Sequence, residues 1–242
     1  MDKDPTKNIS TLKRELFRIG AQGRLALMRL GGLGSVWKNS DGGLSGRVYK
    51  DYDVYRAHQS LKLDAHREKS IRGHDRRFYA ALNERLSQHP NGFAGCRVLC
   101  LAARQGTEVR SFIEQGAFAV GIDLNPGHGN RYVMVGDFHD LQFADGTVDV
   151  VFTNSLDHAF YLHRILSEAN RVLRLDGLLI CEVGLGSNPG AQPGRYESLS
   201  WANVDDILGQ IMTHEFDLLS RSRFDTPWQG DHLVFRKRAA IA

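Results

Sequence analysis

The chain has few cysteines and no strong excess of charge of one sign. Its three cysteines, Cys96, Cys100 and Cys181, are an odd number in 242 residues. They form no CxxC pair and no Cys/His cluster, so neither a disulfide framework nor a zinc site is indicated, and no metal is expected. Reduced, buried thiols are typical of a cytoplasmic protein, and we expect that location.

Long hydrophobic runs are also missing, and no targeting segment is expected. The chain starts with the polar residues MDKDPTKN, and its apolar runs are far shorter than a membrane-spanning helix. The 31 basic residues nearly balance the 28 acidic ones, which leaves a net charge of +3. A balance of this kind does not indicate a nucleic-acid partner, and none is expected.

Residues 1–92 are predicted to form a helical extension and a linker ahead of a domain over residues 93–242. Apolar residues recur at steps of three and four in residues 6–30, and the net charge of residues 1–30 is +4. Such a basic amphipathic helix either packs on the domain or makes peripheral contact with an anionic membrane or another polyanion. Residues 31–50 are rich in glycine and serine and are interpreted as a loop or linker.

Residues 52–88 have a helical pattern that ends at the His89-Pro90-Asn91-Gly92 stop signal. We interpret them as lid-like helices packed on the domain, with His58, Gln59 and Lys62 directed to its site. A partly exposed, charged helical segment is an equally good interpretation of the same pattern.

From Arg97 onward, short apolar strands alternate with helical patterns, which indicates an α/β fold with a parallel sheet. The predicted elements, in order, are strands 97–101, 119–123, 132–135, 148–154 and 178–183, helices 107–115 and 160–173, a loop over 184–200, a helix over 201–212, and closing strands 215–222 and 232–237.

The first strand is followed by a loop of small residues and then a helix. Leu101, Ala102, Ala103 and Gly106 let the backbone approach a ligand closely, and the helix start favours an anionic group. About twenty residues later, Asp123 ends the second strand and precedes Leu124. A carboxylate at this point is placed to accept hydrogen bonds from a ribose, and the loop and the acid together favour that role over an acid that only begins a turn.

Two further groups of candidate residues follow later strands. Asp137 and Phe138 fit an adenine, with the carboxylate on the exocyclic amine and the ring against the base; a loop acid beside a core aromatic is the alternative. Ligands bind beyond the carboxyl ends of parallel strands, where the fourth strand is followed by a run of five candidates: Asn154, Ser155, Leu156, Asp157 and His158. Either Asp157 or His158 acts as a general base, or His158 only orients the next helix and the substrate.

These motifs, in this order, resemble the class I S-adenosylmethionine (SAM) dependent methyltransferases, close to the group called methyltransferase type 11. The resemblance covers about residues 96–184 and is carried by VLCLAARQG, GIDLNP, GDFHDLQFADGTVDVVFTNSLDH and RVLRLDGLLICEV. The first motif departs from the family pattern, which has an acid near Cys100 and glycines near Ala102 and Arg104.

The resemblance implies a Rossmann-like fold with a mostly parallel seven-stranded sheet and helices on both faces. It implies S-adenosyl-L-methionine as cofactor, bound by Leu101, Ala102, Ala103, Gly106, Asp123, Leu124, Asp137, Phe138, Asn154, Ser155 and Leu156. The reaction would be methyl transfer to an O or N atom of a small-molecule, glycan or lipid-linked acceptor. The alternatives are an NAD(P)-dependent Rossmann oxidoreductase and a non-catalytic methyltransferase-like binding module.

Overall fold

The computed structural model describes residues 36–40, 42–60, 68–187 and 193–239. The predicted basic helix over residues 6–30 therefore lies outside the described residues, as does Lys62. In the described parts of the chain, no helix is both long and apolar enough to cross a membrane.

Ten strands and five α-helices make up the described fold. The strands are β1 (Trp37–Asn39), β2 (Leu44–Arg47), β3 (Arg97–Leu101), β4 (Phe118–Asp123), β5 (Val133–Val135), β6 (Val148–Thr153), β7 (Leu173–Gly184), β8 (Leu199–Trp201), β9 (Phe216–Phe224) and β10 (Gly230–Lys237). The helices are α1 (Tyr52–Ser60), α2 (Glu68–Ser87), α3 (Thr107–Glu114), α4 (Leu162–Val172) and α5 (Val204–Met212).

Seven strands form the main sheet in the order β5-β4-β3-β6-β7-β10-β9. The first five of these run parallel, and β10 is antiparallel to both β7 and β9. The predicted Rossmann-like, mostly parallel seven-stranded sheet is confirmed. The oxidoreductase alternative predicts a sheet that continues in parallel order after β7. Here the antiparallel β9–β10 hairpin follows β7 instead.

The sheet has helices on both faces because its strands alternate the direction of their side chains. In β3, Leu99 and Leu101 belong to the core that includes residues of α4 and α5. Val98 and Cys100, which point the other way, belong to the core that includes residues of α2 and α3. The carboxyl ends of β3, β4 and β6 are left open between these layers.

The prediction that residues 31–50 form a loop or linker is wrong for the described part of that range. β1 and β2 pair antiparallel, and β2 also pairs with β8. The partner strand β8 lies about 150 residues later, in the stretch 184–200 that was also predicted as a loop. Strands of three or four residues, such as β2 (LSGR) and β8 (LSW), carry little local signal, and here distant pairing forms them.

Two of the predicted elements begin at least three residues away from their predicted starts. β7 begins at Leu173, five residues earlier than predicted, and contains Asp176 with a φ of 60° at a register shift. α5 begins at Val204 because Trp201 still belongs to β8 and Asp206 accepts a hydrogen bond from the Asn203 amide over 2.8 Å. The predicted boundary between residues 92 and 93 stays a prediction.

Candidate functional site

The loop between β3 and α3 has the backbone of a glycine-rich loop without most of the glycines. Ala102 and Arg104 have φ values of 52° and 43°, in the left-handed region that favours glycine. Gly106 follows with a φ of 81°, and a Cβ there would lie 2.7 Å from the Cβ of Tyr132. The loop thus keeps the close-approach conformation at the two positions where the family pattern has glycine.

Asp123, at the end of β4, faces this loop. Its Oδ2 accepts a hydrogen bond from the Arg104 amide (3.0 Å), and its Oδ1 accepts one from the Asn125 amide (2.8 Å). Each carboxylate oxygen can accept a second hydrogen bond, so both remain able to take the hydroxyls of a ribose. The acid therefore orders the loop and presents acceptors to the same cleft.

A cleft lies at the carboxyl ends of the parallel strands, where the sequence predicted the site. Six predicted residues line it: Ala102, Asp123, Leu124, Phe138, Ser155 and His158. Five further residues line it that the predicted cofactor and catalytic set did not include: Tyr55, Gln59, Arg104, Asn125 and Gly136.

Three predicted cofactor residues have side chains in the core instead. Leu101, Ala103 and Leu156 are each no more than 2% exposed, and their side chains pack among the buried residues on the two faces of the sheet. The sequence could have identified Leu101 as a core residue, because side chains along a strand alternate between the two faces of the sheet. A ligand would therefore meet the backbone of these residues, as predicted for the loop, and their assignment to the cofactor stays a prediction.

Asp137 is held behind the cleft by other residues. Its Oδ1 accepts hydrogen bonds from the His139 amide (3.0 Å) and from His139 Nδ1 (2.9 Å), and its Oδ2 accepts one from the Tyr52 hydroxyl (2.6 Å). Burial raises the pKa of this carboxyl, but these hydrogen bonds outweigh burial and lower the pKa to about 2. Phe138 lines the cleft, whereas Asp137 does not. The two residues predicted to bind an adenine together therefore do not face the same space.

His139, which the sequence did not single out, fixes this arrangement. The amides of Phe160 and Tyr161 each donate to its Nε2 over 3.2 Å, so that nitrogen carries the lone pair. The proton therefore lies on Nδ1, which donates to Asp137.

His158 also has an assignable tautomer. Its Nδ1 lies 2.7 Å from the carbonyl oxygen of Tyr196, which can only accept, so Nδ1 carries the proton. In the neutral ring, Nε2 then carries the lone pair that a general base needs. It lies 3.9 Å from Oδ1 of Asp157.

Asp157 and His158 line different cavities. His158 lines the cleft, whereas Asp157 lines a neighbouring cavity together with Glu197, Leu199 and Trp201. The short 3₁₀ turn Leu156–His158 therefore forms part of the wall between the cleft and this second cavity.

Helix α1 covers the cleft. Besides the contact from Tyr52, the Tyr55 hydroxyl donates to the carbonyl of His158 (3.0 Å), and Gln59 donates to the carbonyl of Tyr196 (2.8 Å). Gln59 lines the cleft as predicted. His58 instead contacts the Tyr49 hydroxyl at 2.9 Å, and burial lowers its pKa to about 4.

Beside the loop lies a group of charged residues from α2, α3 and the loop itself. Glu108, in the first turn of α3, is 2% exposed, and Asn154 donates to its Oε1 over 3.2 Å. Burial raises the pKa of this carboxyl to about 7, although Arg104 opposes the increase. Asp75 of α2 is 4% exposed and lies 3.5 Å from Arg104 Nη2.

Comparison with known proteins gives a family match and a fold match. Residues 99–181 match a family model described as a methyltransferase domain. None of the curated proteins searched matches the chain in sequence.

Among solved structures, the Burkholderia thailandensis 1,6-didemethyltoxoflavin-N1-methyltransferase with bound 1,6-didemethyltoxoflavin and S-adenosylhomocysteine is similar, with a TM-score of 0.64 at 15% identity, over 84% of this chain and 99% of that one. A chain from the complex of the Haloferax volcanii Trm112 methyltransferase activator with a methyltransferase gives 0.59 at 19%, over 79% and 100%. The [4+2]-cyclase SpnF gives 0.53 at 15%, over 69% and 81%.

At these sequence identities, the solved structures support the fold alone. The family model supports a sequence similarity over residues 99–181. Both agree with the order of the motifs along β3 to β7. Residues 99–181 are therefore similar in sequence to a methyltransferase domain, and the described chain has the Rossmann-like fold of the class I methyltransferases.

Proposed function

We propose that the chain transfers the methyl group of SAM to an oxygen or nitrogen atom of an acceptor molecule. The observation that carries this proposal is the pairing of Asp123 with the left-handed loop at Ala102 and Arg104. That loop keeps the conformation that lets a backbone approach a ligand, which argues against the idea that the substituted glycines mark a non-binding module.

The residues of the cleft fit the cofactor. Asp123 offers acceptors for the ribose, Phe138 offers an aromatic face for the adenine, and Ser155 and His158 lie at the end of β6. SAM supplies an activated methyl group on a sulfonium when it is bound. The protein then contributes mainly position, since it holds the acceptor in line and excludes water under α1.

His158 is the proposed general base. Its Nε2 carries the lone pair, and the Tyr196 carbonyl fixes the ring from the other side. Asp157, on the side of the second cavity, is proposed to position the acceptor there. A small molecule, or the exposed end of a glycan or lipid-linked substrate, fits a cavity that adjoins the cleft at this turn.

The fold by itself does not fix the reaction, since one neighbour in fold is a [4+2]-cyclase. The direct test is calorimetric titration of the full chain with S-adenosylhomocysteine (SAH), and with NAD⁺ as the competing cofactor. We expect saturable binding of SAH and none of NAD⁺. Binding of NAD⁺ alone would refute the proposal in favour of an oxidoreductase.

Activity is tested by incubating the chain with SAM labelled in the methyl group and fractions of small-molecule, glycan and lipid extracts. We expect label in one class of acceptor that depends on His158. Binding of SAH with no labelled product from any class would favour a role without methyl transfer.

A further inference from the structure

One face of the main sheet is left partly bare near its β5 edge. Parallel strands of one sheet are usually joined by a helix that covers the sheet. The connection from β5 to β6, residues 136–147, is described throughout and contains no helix. Its Phe138 and Leu141 pack into the core on this face beside Ile122, near the carboxyl end of β4. The amino-terminal half of β4 receives no such cover from it.

The side chains left bare there are apolar and adjoin one another. Phe118 and Val120 share a face of β4 with Ile122, and Met134 of β5 lies beside Ile122 in the register. Phe118 is 76% exposed, Met134 is 43% exposed and Val120 is half-buried. We call these three residues the β4–β5 strip. Adjoining exposed apolar side chains, unlike single ones, mark a surface that another element covers.

The strip has the length of a short helix. Phe118 lies four residues along β4 from the level of Met134, and Met134 is one strand further out. With about 3.3 Å per residue and about 4.8 Å between strands, the strip is about 14 Å long. A helix of eleven residues rises about 15 Å from its first residue to its last.

The chain contains a segment of this length that needs an apolar partner. It lies outside the described residues, where four apolar residues at steps of three and four predict one helical stripe: Ile9, Leu12, Leu16 and Ile19. On the same helix, Lys7, Arg14 and Arg18 fall on the opposite side. They would stay in water, and available to an anionic surface, when the stripe is buried.

The connection is long enough for this segment to reach the strip. Residues 20–35 join it to Val36, where the described chain begins. At about 3.3 Å per residue, these residues extend to about 50 Å. A compact domain of about 200 residues is about 45 Å across, so every part of its surface is within reach.

We propose that residues 9–19 dock as a helix on the β4–β5 strip, with their apolar stripe against Phe118, Val120 and Met134. The segment takes the place that a crossover helix from β5 to β6 would occupy. β4 ends at Asp123 and β5 leads to Gly136, both of which line the cleft, so the docked segment braces the strands that end there. This inference does not depend on the reaction that the chain catalyses.

The experiment places a photocrosslinking residue in the strip of the full chain. The variant Phe118→p-benzoylphenylalanine keeps an aromatic ring at an exposed position, so the fold should persist. After illumination we expect a crosslink within one chain to a peptide from residues 6–30, identified by mass spectrometry after digestion. The control carries the same crosslinker at Leu219, which is 49% exposed on β9 at the opposite edge of the sheet, and should give no crosslink to that peptide.

Two further changes test the stripe in the Phe118 crosslinking variant. Leu12→Ala with Leu16→Ala should lower the crosslink yield about 10-fold or more, because two leucine side chains are lost from the contact. Ser10→Ala with Thr11→Ala, on the other side of the helix, is the matched control and should leave the yield unchanged.

Three results would overturn the proposal. The first is the absence of a crosslink to residues 6–30, and the second is a crosslink that the leucine changes do not weaken. The third is a product found only at the mass of a dimer, which would show that a second copy of the chain covers the strip.

Discussion

The Tyr52 hydroxyl donates to Asp137 Oδ2 across 2.6 Å, and so joins the helix that covers the cleft to the loop after β5. The same helix reaches the His158 carbonyl through Tyr55. The first helix of the described chain is therefore bound to two of the loops predicted to hold cofactor and substrate, although it lies outside the segment that matches the methyltransferase model.

Replacement of Asp137 by Asn tests this connection through pH. Because hydrogen bonds lower the pKa of Asp137 to about 2 in the folded protein, its ionised form stabilises the fold above the unfolded pKa of roughly 4. That stabilisation is lost as the pH falls from about 4 to about 2. We expect wild type to be more stable than Asp137→Asn at pH 7, with the gap closing toward pH 2, in urea titrations at each pH. A gap that stays constant with pH would contradict the assigned hydrogen bonds.

Replacement of Asp123 by Ala removes the acceptors proposed for the ribose. SAH affinity should fall by about 10-fold to 100-fold, because hydrogen bonds to a charged group are lost. The fold should persist, since the acid lies at a strand end; the measurements are calorimetric titration and circular dichroism. Asp225→Ala, an exposed loop acid, is the control. Unchanged SAH affinity in the Asp123 variant would overturn the ribose assignment.

Replacement of Ala102 by Gly should stabilise the protein. A non-glycine residue at a φ of 52° carries strain that glycine does not, and this outweighs the entropy that glycine adds to the unfolded chain. We expect the free energy of unfolding to rise by about 0.5 kcal/mol in denaturant titrations. Ala80→Gly, at an exposed position in α2, should instead lower it by about 1 kcal/mol. A loss of stability in Ala102→Gly would show that the loop is not strained at this position.

Replacement of His158 by Asn tests whether this residue acts as a general base or only as a structural contact. The Asn amide can still donate to the Tyr196 carbonyl, as Nδ1 does, but it offers no basic nitrogen in the position of Nε2. With the acceptor found in the labelling experiment, kcat should fall about 100-fold or more while SAH affinity is unchanged. A kcat within a few-fold of wild type would leave His158 with a positioning role only.

Removal of residues 1–30 tests the proposed membrane contact of the basic segment. We expect the full chain to sediment with anionic liposomes at low salt, and the shortened chain to remain in the supernatant, because seven basic residues are lost with the segment. Equal sedimentation of the two proteins would refute the membrane contact.

The sequence by itself determined the order of the main-sheet strands from β3 to β10, the helices between them and the position of Asp123. These depend on local signals: buried parallel strands are short apolar runs, helices repeat at 3.6 residues, and ligands gather where parallel strands end. Strand β3 was predicted at its observed limits, Arg97–Leu101, for this reason. The closing strands β9 and β10 were also predicted, as two strands over 215–222 and 232–237 separated by FDTPWQGD.

Tertiary structure alone decided what depends on distant partners. β2 is a strand because it pairs with β8, and nothing within Leu44–Arg47 signals that pairing. Asp75 and Glu108 share a charged cluster only because α2 packs against α3, and Asp137 turns from the cleft because Tyr52 reaches it from 85 residues earlier. A linear pattern records neither burial nor the donors that meet a carboxylate, and those two quantities decide what each acid in this site can do.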